Sequence, residues 1–170
     1  MCKQTALLQM YTKIGDGRMR ELLQKKYIYL DVDLHTREEV FHFISKESFK
    51  LGLAENQIAV GRSLAEREEQ SSTGLLDGIA IPHAISADIK VPAILFIRAK
   101  EGVTDWQTID NSQVKQVITM LVPKDGEQEH LQTLADLSGE LVDEEQRKKL
   151  AACLSVDEVY DFLNQNDNSR

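Results

Sequence analysis

VKQVITMLVP, residues 114–123, sets the architecture. Val117, Ile118, Met120, Leu121 and Val122 follow one another with only Thr119 between, whereas a strand with one wet face alternates apolar and polar residues. The run therefore reads as a strand covered on both sides. PAILFIRA, residues 92–99, and the short IAI, residues 79–81, also read as strands. YIYLDVD, residues 27–33, alternates and mixes aromatic with β-branched residues, which predicts another.

Helical patterns lie between and after these strands. Thr36 with Glu39 makes a capping box, and Val40, Phe41, Ile44 and Leu51 fall on one face before Gly52. A second helix is expected from about Asn56 to Arg67, with Ile58 and Leu64 turned inward, before EQSSTGLLDG (residues 69–78) breaks the pattern with turn-forming residues. In the last third, Leu131, Leu134, Leu137 and Leu141 are expected to share a face, which puts His130 in the first turn of that helix. A further helix is expected over Asp143 to Ala152, and Ser155 with Glu158 caps one ending near Asn164. Interleaved helices and strands, with no linker and no repeat, predict one layered α/β domain.

Composition narrows the function. The chain has 170 residues, 42% hydrophobic and 28% charged, which suits an ordinary globular domain with a core of its own. Its formal charge of −8 argues against non-specific binding to nucleic acid or to an anionic membrane surface. Cys2 and Cys153 form no metal-ligand or redox spacing, so a reduced, cytoplasmic compartment is expected. No stretch is apolar for long enough to cross a bilayer. Residues 1–18 lack a secretory pattern and show weak periodicity, so they are expected to be an extension that is poorly ordered, with Met19 an alternative start.

Any imidazole chemistry must come from His35, His42, His83 or His130. His35 stands before a helix cap and His42 lies within a helix, and both suit ordinary surface or half-buried positions. His83 follows Pro82, which fixes its own φ and pushes Ile81 toward an extended conformation. A strand that ends at proline and a rigidly aimed functional imidazole fit GIAIPH equally well. A metal site lacks ligand spacing, and a serine hydrolase lacks its nucleophile elbow. A nucleophilic histidine is the third candidate: neutral imidazole attacks phosphorus near neutral pH without a separate base, and positive groups must then hold the phosphoryl oxygens. Arg62, Arg67 and His130 are available for that task. Sequence distance brings none of them to His83.

REEQSSTGLLDGIAIPHA, from Arg67 to Ala84, closely resembles the active-site signature of the fructose/mannitol-type IIA proteins of the bacterial phosphoenolpyruvate-dependent sugar phosphotransferase system. The resemblance continues through EGVTDWQTIDNSQVKQVITMLVP (101–123) and EHLQTLADLSGEL (129–141), and covers about residues 19–165. It implies a mixed five-stranded sheet flanked by helices on both faces, with residues 19–170 forming the type-2 EIIA domain. It also implies that His83 is the phosphorylated histidine, Arg67 the arginine beside it and His130 the second active-site histidine. Arg62 then reverts to a solvated helix residue. Thr73 is a candidate for hydrogen bonding to the phosphoryl group, with ordering of its loop as the alternative. Ile79, Ile81, Ala84 and Ile85 are candidates for a docking face or for core. No cofactor or metal is expected.

The same resemblance implies a relay. The small carrier HPr donates a phosphoryl group to the IIA histidine, and IIA passes it to a cysteine on EIIB. Sugar entering through the membrane component EIIC is phosphorylated, and EIIB and EIIC are expected to be separate chains. A fructose-like transport role leads, and a regulatory, nitrogen-type EIIA whose phosphorylation state controls partner binding is the alternative.

Overall fold

The computed structural model describes residues 18–165. Of the expected extension, residues 1–17 lie outside the described residues, while Arg18 and Met19 fall in a short helix, α1 (Arg18–Leu22). A single 3-10 turn, Lys25–Tyr27, leads into β1 (Ile28–Val32). There follow α2 (Arg37–Lys50), α3 (Gln57–Gln70), β2 (Ile79–Ala80), β3 (His83–Ser86), β4 (Ala93–Val103) and β5 (Val114–Pro123). The chain closes with α4 (Glu127–Glu140), α5 (Glu144–Ala152) and α6 (Val156–Gln165).

β5 is the hub of a mixed five-stranded sheet. β4 pairs with it antiparallel on one edge, while β2 and β3 lie in succession along the other, both parallel. β1 adds beyond β4, parallel to it. No residue from Ala93 to Ile97 or from Val117 to Val122 is more than 1% exposed. Successive side chains point to opposite faces, so both faces of the central strands are covered. Each fully buried Ile, Leu or Phe in this layer stabilises the fold by about 1.5–3 kcal/mol relative to an exposed one.

Local chemistry sets the helix starts. Thr36 Oγ1 accepts from Glu39 N–H at 3.1 Å while Glu39 Oε2 accepts from Thr36 N–H at 3.3 Å, completing the expected box at α2. Asn56, Asp143 and Ser155 each accept from the N–H three residues on, opening α3, α5 and α6. Each such cap is worth about 1 kcal/mol.

Three expectations need correction. α3 runs three residues past Arg67, to Gln70, and Ile58 is 73% exposed rather than inward. Its buried line is Val60, Leu64 and Glu68, and a residue six positions before Leu64 lies about 240° away around a helix. On α4 the same geometry turns Leu131 aside: full burial follows Thr133, Leu137 and Leu141. Lastly, the strand expected at 79–81 is β2, Ile79–Ala80, and Pro82 interrupts the edge of the sheet without ending it. Proline donates nothing to the ladder, yet its carbonyl accepts from Met120 N–H at 3.2 Å, and pairing with β5 resumes at His83. His83 therefore opens a strand instead of closing one.

The turn ahead of β2 is held from outside. Asp77 and Gly78 both have positive φ, 52° and 71°. A Cβ at Gly78 would lie 2.6 Å from the Gln113 carbonyl oxygen, so only glycine fits there. The buried Arg147 reaches from α5 to donate through Nε to Asp77 Oδ2 at 2.7 Å and through Nη1 to the Leu141 carbonyl at 3.0 Å. Ile79, Ile81 and Ala84 are buried in the core and Ile85 is half-buried, so three of the four docking-face candidates are core.

Candidate functional site

β3 pairs with β5 on one side and meets α3 on the other. Ser63 closes that outer edge: Ile85 N–H donates to Ser63 Oγ at 3.0 Å, and the Ser63 hydroxyl donates to the Ile85 carbonyl at 3.0 Å. One serine thus satisfies both backbone groups that Ile85 would otherwise leave unpaired. From this anchor, four helical residues advance about 6 Å. Two strand residues span about 6.6 Å. Running forward along α3 from Ser63 and back along β3 from Ile85 therefore brings Arg67 level with His83.

The two side chains meet. Arg67 Nε donates to His83 Nε2 at 3.1 Å, and Arg67 Nη1 donates to the Ser71 carbonyl, just past the end of α3, at 2.9 Å. A guanidinium has no lone pair to offer, so Nε2 must be the acceptor and the ring proton of the neutral imidazole sits on Nδ1. Nδ1 is buried and, among the described residues, meets no partner at full hydrogen-bond geometry, the Ile81 backbone being the group that favours a proton there. The nucleophilic lone pair is therefore on Nε2, where it accepts from a fixed cation.

The charge state follows. Burial first, and the Arg67 charge second, push the His83 imidazole below its ordinary value of 6.5, partly opposed by the Ile81 backbone and the Glu68 carboxylate. An unfolded chain binds a proton on this ring more readily than the folded one. The stability that His83 contributes is thus full above pH 6.5 and is lost as the pH falls from there through the folded midpoint. Titrating the His83 ring resonances by NMR is expected to give a midpoint under 6.5, and Arg67→Ala to move it back upward. A midpoint at or above 6.5 in the unsubstituted chain would contradict this account.

The other expected residues are placed as follows. His130 is half-buried in the first turn of α4, and among the described residues no hydrogen bond or ion pair joins it to His83 or Arg67. Thr73 is buried, its hydroxyl donating to Glu68 Oε2 at 2.6 Å and its carbonyl accepting from Ile81 N–H at 3.0 Å. That hydroxyl already orders the loop. Arg62 and His42 are exposed, and His35 pairs with Asp33 at 3.0 Å. Ser63 and Glu68 escaped the sequence reading, because a serine or glutamate in a helical run looks like any solvated position. Among the described residues no three His, Cys, Asp or Glu side chains cluster to hold a metal ion, and no helix is long and apolar enough to cross a membrane.

Fold and site together define an α/β protein that presents one arginine-braced neutral imidazole at the first residue of a sheet strand. The chain belongs to the EIIA 2 family of the phosphoenolpyruvate-dependent sugar phosphotransferase system, whose family model matches residues 21–166. It is 36% identical over 150 residues to the fructose-specific EIIABC component of Bacillus subtilis, covering 88% of this chain but only 24% of that relative. The nitrogen regulatory protein IIA-Ntr of Neisseria meningitidis superposes with a TM-score of 0.77 at 30% identity, covering 84% of this chain and 97% of that one. The IIAMTL enzyme of Escherichia coli, solved in complex with phosphorylated enzyme IIBMTL, superposes at 0.68 and 27% identity, covering 84% and 97%.

Proposed function

We propose that this chain is a phosphoryl carrier that is charged on His83 by phospho-HPr and discharged to an EIIB cysteine during uptake and phosphorylation of a fructose-like sugar. The observation that carries the reading is the Arg67 Nε contact to His83 Nε2, which leaves a neutral ring with its lone pair held beside a cation. In the charging step the Nε2 electron pair forms a bond to phosphorus as the bond to the HPr imidazole breaks, its electrons returning to that ring. The His83 ring proton stays on Nδ1. Once Nε2 is bonded to phosphorus it no longer accepts from Arg67, so the guanidinium turns its N–H groups to the phosphoryl oxygens, a charge-assisted contact. His130, from the first turn of α4, is the second donor to those oxygens, and Thr73 shapes the loop beneath them.

Phosphoryl transfer of this kind is chiefly positioning and electrostatics, for which one braced arginine and one further donor suffice. Similarity to the fructose-specific component favours transport. Similarity to the nitrogen regulatory protein over almost its whole length favours a second reading, in which the phosphorylation state of His83 controls binding to a partner. Charging the chain with labelled phospho-HPr and then adding a fructose-type EIIB separates them. Label is expected to leave His83 and appear on the EIIB cysteine. Label that stays on this chain supports the regulatory role.

A further inference from the structure

Glu68 is 5% exposed, yet its carboxylate is the most heavily engaged group near the site. Oε1 accepts from Ser72 Oγ at 3.0 Å, Thr73 N–H at 3.0 Å and the Trp106 indole N–H at 2.8 Å, while Oε2 accepts from Thr73 Oγ1 at 2.6 Å. Burying an ionised carboxylate is costly unless donors surround it, and here four do. Those donors come from two separate segments: the loop after α3 and the loop joining β4 to β5. Ser72 Oγ also lies 2.6 Å from the Gln107 carbonyl oxygen, so its single hydrogen is shared between that oxygen and Glu68 Oε1, and a Cβ at Gly74 would collide with the same carbonyl. The two loops are therefore locked together, with Glu68 at the lock.

What this lock holds is the brace of Arg67. Nη1 of Arg67 rests on the Ser71 carbonyl, and Ser71 lies between Glu68 and the two residues that Glu68 grips. A guanidinium is planar, so fixing Nη1 on one oxygen sets where Nε points. We propose that Glu68 is a positioning residue of the phosphoryl site, clamping the Ser71–Thr73 turn so that Arg67, braced on Ser71, aims Nε at His83 Nε2. Its hydrogen-bond partners are Ser72, Thr73 and Trp106, so it positions through the turn, and its charge adds only the smallest of the influences on the His83 ring. The inference rests on the reading of His83 as the phosphoryl acceptor.

The test combines a rate with a signal that needs no phosphoryl donor. Initial rates of label uptake from phospho-HPr are measured on the full chain, at a temperature where thermal melts show each variant folded, alongside the 15N resonance of His83 Nε2. Glu68→Ala is expected to lower the rate about 100-fold, the scale of a 1 Å misplacement of a reacting arrangement. It should also move the Nε2 resonance to where Arg67→Ala puts it. Glu68→Gln, which keeps an acceptor oxygen for Ser72, Thr73 and Trp106, is expected to keep most of the rate. Added to Arg67→Ala, Glu68→Ala should cost little more, because its positioning effect runs through Arg67 and its charge is the smallest of the influences on the His83 ring. Additive losses, or an unmoved Nε2 resonance in folded Glu68→Ala, overturn the proposal. If Glu68→Ala does not fold, Thr73→Val removes the one donor to Oε2 and is expected to shift the same resonance in the same direction by less; an unshifted resonance there overturns it too. An unsubstituted chain that takes no label overturns the phosphoryl reading instead, and leaves the Nε2 resonance to decide the role of Glu68.

Discussion

His83→Ala is expected to accept no acid-labile, base-stable label from phospho-HPr, while melting close to the unsubstituted chain. The loss is total because the proposed bond to phosphorus is made at Nε2, and no other described imidazole has an arginine hydrogen-bonded to it. The fold survives because His83 is half-buried and its one strong contact is to Arg67, which keeps its second bond to Ser71. A net loss of about 1 kcal/mol is the scale for one such hydrogen bond. Phosphoamino-acid analysis by acid lability decides the matter, and label retained at the same rate in the alanine variant would sink the assignment.

Arg67→Lys is expected to slow uptake of label about 100-fold, the cost typical of removing one preorganised donor from a charge-stabilising site. The charge survives the substitution and the geometry does not. Arginine spans two acceptors here, His83 Nε2 at 3.1 Å and the Ser71 carbonyl at 2.9 Å, through atoms of one rigid plane. A lysine ammonium is a single point on a flexible stem and does not occupy both. The pH midpoint of His83 should therefore stay low in Arg67→Lys, since a cation still faces the ring, while the rate falls. A lysine variant with the rate of the unsubstituted chain would show that charge alone is needed, and would remove the reason for the brace on Ser71.

Much of the fold could be read locally. β5 spans 114–123, as its unbroken apolar run predicts, and the starts of α2, α5 and α6 follow from Thr36, Asp143 and Ser155. These features depend on residues within four positions of one another, where capping and alternation operate. Ile58 shows how far that reach extends. Being apolar in a helix, it reads as inward, but which side of α3 is inward is settled by α2 and β3, against which it packs, and not by α3 itself.

The site divides along the same line. His83 and its rigid approach from Pro82 are visible in GIAIPH, although the pattern taken alone leaves a strand end and a site equally open. Resemblance added Arg67 and His130. The structure joins the first of these to His83 by a hydrogen bond and leaves the second half-buried in the first turn of α4. The sequence by itself determined four of the five strands, the helices from α2 onward and which imidazole follows a rigid proline, because those follow from short-range backbone sterics and periodicity, whereas β3 forms only by pairing with β5. Only the tertiary structure decided that Ser63 pins α3 to Ile85, that Arg67 then falls level with His83, that the ring proton sits on Nδ1, and that Glu68 lies buried among four donors. The Ser63, Arg67 and Trp106 contacts among these join positions 16 to 38 residues apart, and such distances exist only once the sheet and its flanking helix have docked.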